Sequence, residues 1–133
     1  MFDTLSGVSE DRRIEWPVAE QLQLGACIGL SLQGFVPISI FPRWNFLILA
    51  SDALVNHLDR IPLYSTYRPK VIIRVAVGHS SPLDPGPQHC DDFTEAFRLM
   101  LQTVNVLPLT DESQVIPEYQ AAYERDGSTI LVE

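Results

Sequence analysis

The sequence predicts an α/β domain of three layers: a mostly parallel sheet of about five strands with helices on both faces. Three observations carry that expectation. Apolar, β-branched runs alternate with longer helical patterns, in the order β-α-β-α-β-α-β-α-β, which is how parallel βαβ units read. The strand-like runs are apolar nearly throughout rather than at every second residue, as strands covered on both faces are. Finally, 133 residues without low-complexity stretches or internal repeats suit a single domain over 1–133 with a genuine core.

In chain order, residues 1–12 are a polar lead-in with Asp3, Ser6, Gly7, Ser9, Glu10 and Asp11. A short strand is expected at 13–16, then a turn marked by Pro17 and a helix over about 19–33. Leu22, Leu24, Ala26, Cys27, Ile28, Leu30 and Leu32 leave that helix almost no polar face, so it belongs inside. Gly25 and Gly29 fall four apart on one face, where another backbone can approach closely, and Gly34 suits a left-handed cap. Val-Pro-Ile-Ser-Ile-Phe at 36–41 reads as a buried strand. A second helix follows over about 44–60, with Phe46, Leu47, Leu49, Ala50, Ala53, Leu54 and Leu58 as apolar positions. After a loop at 61–69, Lys-Val-Ile-Ile-Arg-Val-Ala-Val at 70–77 is the strongest strand signal in the chain.

Residues 78–92, with Pro82, Pro85, Gly86 and Pro87, form the longest irregular segment; in compact domains such loops are functional or disordered. A third helix takes 92–102, with Phe93, Ala96, Phe97 and Met100 at helical spacing, and a strand takes 104–109. Thr110 is placed to cap a helix running to about 125, with Val115, Ile116, Tyr119, Ala122 and Tyr123 on one face. Gly127 ends it, and 129–132 is the last strand.

Bulk properties exclude some functions. The formal net charge of −8, spread along the chain, argues against nucleic-acid binding and against attraction to anionic membranes. No apolar run approaches the roughly 20 residues that span a bilayer. The first residues carry no basic region followed by an apolar run, so no signal peptide is expected. Cys27 and Cys90 lack CxxC spacing, which suits reduced thiols and a cytoplasmic protein.

Ligands of parallel sheets bind beyond the carboxyl ends of the strands. Residues 16–20, 41–46 and 78–89 fall at those ends and bring a carboxylate, several aromatics and a histidine to one rim. Glu20 stands at the mouth of the first helix, near unpaired amides and the positive end of the helix dipole. Taken alone, a Glu at a helix start contributes roughly a few tenths of a kcal/mol and nothing more. Asp84, Asp91 and Asp92 are explained by a Pro-rich loop and a helix cap rather than by a metal cluster, and His57 falls on the exposed part of a helix.

Together these residues carry a resemblance. Arg-Ile-Glu-Trp-Pro-Val-Ala-Glu, followed by a small-residue apolar helix ending in Gly34, resembles thiamine-diphosphate enzymes. The likeness is to the β subunits of 2-oxo acid dehydrogenase decarboxylating components and to the middle domain of transketolases. Pro17 to Glu20 resembles their Pro-Ile-Thr-Glu, Phe41-Pro42-Arg43-Trp44-Asn45-Phe46 their Phe-rich segment, and Gln88-His89-Cys90 their Gln-His-Ser loop. Gly86-Pro87-Gln88-His89 also resembles the Gly-Pro-Thr-His of transketolases, and the likeness runs from about residue 12 to 133 in matching order.

The resemblance implies a pyrimidine-binding domain. Glu20 would bond a ring nitrogen of the cofactor's aminopyrimidine and favour its imino tautomer, whose imine then removes the thiazolium carbon's proton. Such leverage needs a dry site. It further implies Phe46 stacking near the aminopyrimidine, Trp44 and Pro42 on the same cofactor-binding segment, and His89 facing substrate as a catalytic residue, with His79 in the same loop. Pro42 stands where relatives often carry a longer side chain.

The departures are as informative. Only about a dozen residues precede the strand expected before Glu20, so one sheet element is missing or supplied by another chain. The Gly-Asp-Gly and Asn-Asn segments that hold magnesium and diphosphate in relatives are absent. Thiamine diphosphate would therefore be shared with a partner chain, and magnesium would come only through that partner. The expectation is the pyrimidine-binding subunit of a split transketolase-like or 2-oxo acid decarboxylating enzyme, in a homodimer or with a separate diphosphate-binding subunit. The alternative is a truncated, non-catalytic dimerisation or interaction module of the same fold. A flavodoxin-like small-ligand binder ranks below both, since no Gly-rich phosphate loop follows a strand.

Overall fold

A computed structural model of the chain describes residues 5–79, 81 and 84–133; Asp3 of the polar lead-in and Pro82 of the long loop lie outside them. Four strands, β1 (Ile38–Phe41), β2 (Ile72–Val75), β3 (Asn105–Pro108) and β4 (Thr129–Val132), form one sheet in the order β1-β2-β4-β3. Every pairing is parallel, with Ile40 opposite Arg74, Arg74 opposite Leu131, and Leu131 opposite Leu107. The central strands β2 and β4 are buried along nearly their whole length, which is why their sequences are apolar without alternation.

The fifth strand, expected at 13–16, does not form: that segment is irregular. Arg13-Ile14-Glu15 offers a single apolar side chain, and Ile14 stays 58% exposed. A parallel strand needs both faces apolar, so the segment has nothing to bury. The described part of this lead-in contains a turn closed by Val8 N–H on Leu5 O (3.0 Å) and a 3₁₀ turn at Glu10–Arg12.

Helix α1 (Glu20–Leu32) packs Leu24, Cys27 and Ile28 onto the sheet face formed by Phe41, Ile73 and Val75. Its end is a Schellman turn: Phe35 N–H donates to Leu30 O (3.2 Å) and Gly34 N–H to Ser31 O (3.0 Å), with Gly34 at φ +87°. The helix is not enclosed by this chain. Leu22 and Leu32 are 52% and 59% exposed, and a Cβ added at Gly25 or Gly29 would meet nothing within 4 Å. No backbone of the described residues makes the close approach those glycines permit.

After β1 the chain is helical to residue 58, but its pitch changes. It passes from α2 (Trp44–Leu47) through a 3₁₀ turn at Ile48–Ala50 to a π-helical stretch at Asp52–Leu58. The wide turn ends where Asp59 N–H donates to Leu54 O at 2.9 Å, five residues back. Asp59 is fully buried, and its Oδ1 accepts from the backbone N–H groups of Gln102, Thr103 and Val104 at 2.9, 2.7 and 3.0 Å. One carboxylate thus pins the helix end to the turn that launches β3.

A short α3 (Ile61–Tyr64) precedes β2, and α4 (Thr94–Met100) lies on the same face as α1. On the opposite face α5 (Val115–Glu124) covers Ile72 and Leu131 through Ala122 and Tyr119, leaving Ile38 of β1 55% exposed. The side-chain cap ahead of α5 is Asp111 rather than Thr110, and it caps the 3₁₀ turn Glu112–Gln114 that leads into the helix. Its side chain accepts from Ser113 N–H (2.8 Å) while Gln114 Oε1 accepts from Asp111 N–H (3.1 Å), a reciprocal capping box on a 3₁₀ turn ahead of the helix. Arg74, inside β2, points to this second face and pairs with Glu133, which also accepts from Tyr119 Oη at 2.9 Å.

Candidate functional site

Which rim each helix end reaches is fixed by side-chain bonds. Gln23, in the first turn of α1, donates to Ile40 O (3.1 Å) and Ser39 Oγ (3.0 Å), near the carboxyl end of β1. Ser31, in its last turn, accepts from Lys70 N–H (2.7 Å), just before β2 begins. The helix therefore runs back along the sheet, and Glu20, its first residue, stands at the carboxyl rim of the strands. Glu20 is half-buried, and among the described residues its carboxylate has no hydrogen-bond or ion-pair partner. Its neighbour Gln21 is held by Asp52 (2.9 Å), which fixes the start of α1 against the π-helical stretch.

Two strand ends meet at this rim. Beyond β1 come Pro42, Arg43 and α2. Beyond β2 come Val77, whose N–H donates to Glu133 O (2.7 Å), then Gly78 and His79. The loop 84–92 folds back onto this end through a 3₁₀ turn at Pro87–His89, preceded by Gly86 at φ +80°. Its docking is tight: a Cβ built on Gly78 would lie 1.9 Å from His89 O. Only a residue without a side chain lets the loop sit there.

The docked loop lays the His89 ring on the Phe46 ring, with centroids 5.5 Å apart and planes 12° from parallel. That separation falls in the range of offset stacking. Phe46 packs its other contacts onto the main core. His89 Nδ1 is shut off from solvent and finds no hydrogen-bond partner among the described residues; the same holds for Asn45 Oδ1 beside Phe46. Trp44 Nε1, Asp59 Oδ2 and Thr129 Oγ1 are also without a hydrogen-bond partner among the described residues; His89 Nδ1 and Asn45 Oδ1 differ from them in lying on neighbouring segments at the rim.

Arg43 lies against the same junction. Its Nε is 3.2 Å from the position of a Gly78 Cβ, and its Nη1 donates to Pro42 O at 2.8 Å. Gly78 and Arg43 are contributions that the sequence does not single out, because they are 35 positions apart and only strand pairing brings them together.

The remaining expected residues are placed as follows. Trp44 is fully buried and stacks on Phe97 at 4.9 Å and 18°, so its indole lies in the core. Pro42 and His79 are exposed. His57 is exposed beside Asp52 at 3.5 Å. No three metal-ligating side chains come together among the described residues, and none of their helices is long and apolar enough to cross a membrane. A cleft of about 350 Å³ lined by Leu58, Arg68, Pro69, Thr103 and Gly127 lies at the opposite, amino-terminal end of the strands and shares no residue with this site.

The chain matches no protein-family model and no curated protein.

Proposed function

We propose that this chain is the pyrimidine-binding half of a thiamine-diphosphate-dependent enzyme, transketolase-like or 2-oxo acid decarboxylating, completed by a diphosphate-binding chain. The observation that carries the reading is the Phe46–His89 stack on the same carboxyl rim as the unpartnered Glu20. The donor set suits a flat, amine-bearing heterocycle. The stacked Phe46 and His89 rings offer an aromatic wall, Glu20 a carboxylate free to meet a ring nitrogen, His89 Nδ1 a donor or an acceptor according to its tautomer, and Asn45 Oδ1 an acceptor.

The work of this chain is to hold and to exclude. Glu20, half-buried at a helix start, keeps a carboxyl group that no side chain of the described residues engages. Phe46, stacked on His89, fixes the plane of that imidazole at the rim. His89 sits on a loop seated by Gly78, so its imidazole is aimed from a fixed point and can exchange a proton with substrate. The carbanion chemistry itself is supplied by thiamine diphosphate when bound. Diphosphate and magnesium ligands come from the partner.

Titrating thiamine into labelled protein tests this. Shifts are expected at Glu20, Phe46 and His89, and their loss in Glu20→Gln. Shifts confined to other surfaces would remove the proposal. The exposed Leu22, Gly25, Gly29 and Leu32 face of α1 favours a second reading, an interaction module. A persistent dimer with no thiamine response would select it.

A further inference from the structure

We infer that Arg43 is an anion-recognition residue of this rim, binding the carboxylate or phosphate of the substrate; this rests on the reading of the rim given above. Three observations point to it. The first concerns pairing. Arg43, Arg60 and Arg74 are the half-buried arginines of the described residues. Arg60 faces Asp59 at 3.6 Å and Arg74 is paired with Glu133, whereas Arg43 faces no carboxylate. In a chain of net charge −8, acids to pair with it are plentiful, yet the rim presents it unpaired. The second is position. Its Nε lies 3.2 Å from a Gly78 Cβ position that would itself collide with His89 O, so the guanidinium flanks the backbone of the residue assigned to face substrate. The third is spare capacity. Among the described residues the one hydrogen bond of the Arg43 side chain is from Nη1 to Pro42 O, which leaves Nη2 and Nε for a planar oxyanion. Guanidinium groups bind carboxylate and phosphate in two-pronged fashion, and a partly desolvated one does so more strongly than one in open water.

The test uses the whole chain with two probes, pyruvate and inorganic phosphate, and follows the Arg43 Nε–H signal by NMR. Either probe should shift that signal saturably, and Arg43→Gln should weaken binding roughly tenfold or more. Arg43→Lys separates the sources: a point charge retains phosphate but loses the paired bonds to carboxylate. The Phe46–His89 ring-current shifts report folding of each variant; should Arg43→Gln fail to fold, Arg43→Lys decides alone. If neither probe shifts Arg43, or the folded variants bind both anions like the parent, the inference is overturned. Thiamine titrated into the same samples keeps the two readings apart. Thiamine shifts without an anion response sink only the Arg43 inference. An anion response without thiamine shifts sinks the cofactor reading and leaves the anion site standing.

Discussion

Replacing Gly78 with alanine tests the seating of the loop that carries His89. The added Cβ would lie 1.9 Å from His89 O, whereas ordinary contacts begin at 3.4 Å, so the loop or the strand end must retreat by about 1.5 Å. The obstacle is a backbone carbonyl, which cannot rotate aside as a side chain can. Gly78 does not have positive φ, so the effect is steric rather than conformational. Overpacking of this kind costs about 1–3 kcal/mol. The alanine also restricts the unfolded chain, which returns about 0.4–1 kcal/mol. The difference is a net loss of about 1–2 kcal/mol, or roughly 4–8 °C in Tm for a domain of this size. Thermal unfolding gives the first number. NMR gives the second, since a loop displaced that far withdraws His89 from Phe46 and abolishes the ring-current shift of its imidazole protons. Gly25→Ala is the control: nothing lies within 4 Å of its Cβ, and a helical glycine replaced by alanine gains about 0.5–1 kcal/mol. If Gly78→Ala is as stable as the parent and keeps the His89 shifts, the seating argument fails.

Other outcomes follow from the same structure. Asp59→Ala strips three backbone N–H groups of their acceptor and should cost about 3 kcal/mol or more in urea unfolding, while an exposed acid such as Glu112 replaced by alanine changes little. Burial pushes the Glu133 carboxyl up, but hydrogen bonds from Arg74 and Tyr119 outweigh it and hold it below its ordinary 4.5. The stability this confers is present above pH 4.5 and is lost as pH falls through the depressed value, so unfolding measured against pH should flatten there in Glu133→Gln. Burial raises the Cys27 thiol, with a weaker opposing bond from Ser39. An alkylating reagent should therefore modify half-buried Cys90 first and reach Cys27 only on unfolding, as peptide mapping would show.

The parts of the fold that the sequence makes legible are those set by local pattern. The β2 run could be nothing but a buried strand, and Gly34 and Gly127 mark real chain reversals at φ +87° and +89°. The strand expected at 13–16 does not form, because that stretch has too little apolar surface to bury on two faces. The helix after β1 is legible as helix, but its change of pitch is not, because the change depends on Asp59 reaching residues 102–104 across the fold. In a sequence Asp59 looks like an ordinary surface acid near a helix end. The site divides the same way. Phe46 and His89 come from the resemblance, whereas their stacking, the Gly78 seat and the position of Arg43 arise only when β1 and β2 are paired. Trp44 is on the same segment, but helical geometry turns it into the core against Phe97.

The most direct measurement is exchange of the thiazolium proton of thiamine diphosphate in a complex of this chain with a diphosphate-binding partner. The parent chain should accelerate that exchange strongly and Glu20→Gln should bring it back toward the rate in solution. Equal exchange in the two would contradict the role assigned to Glu20.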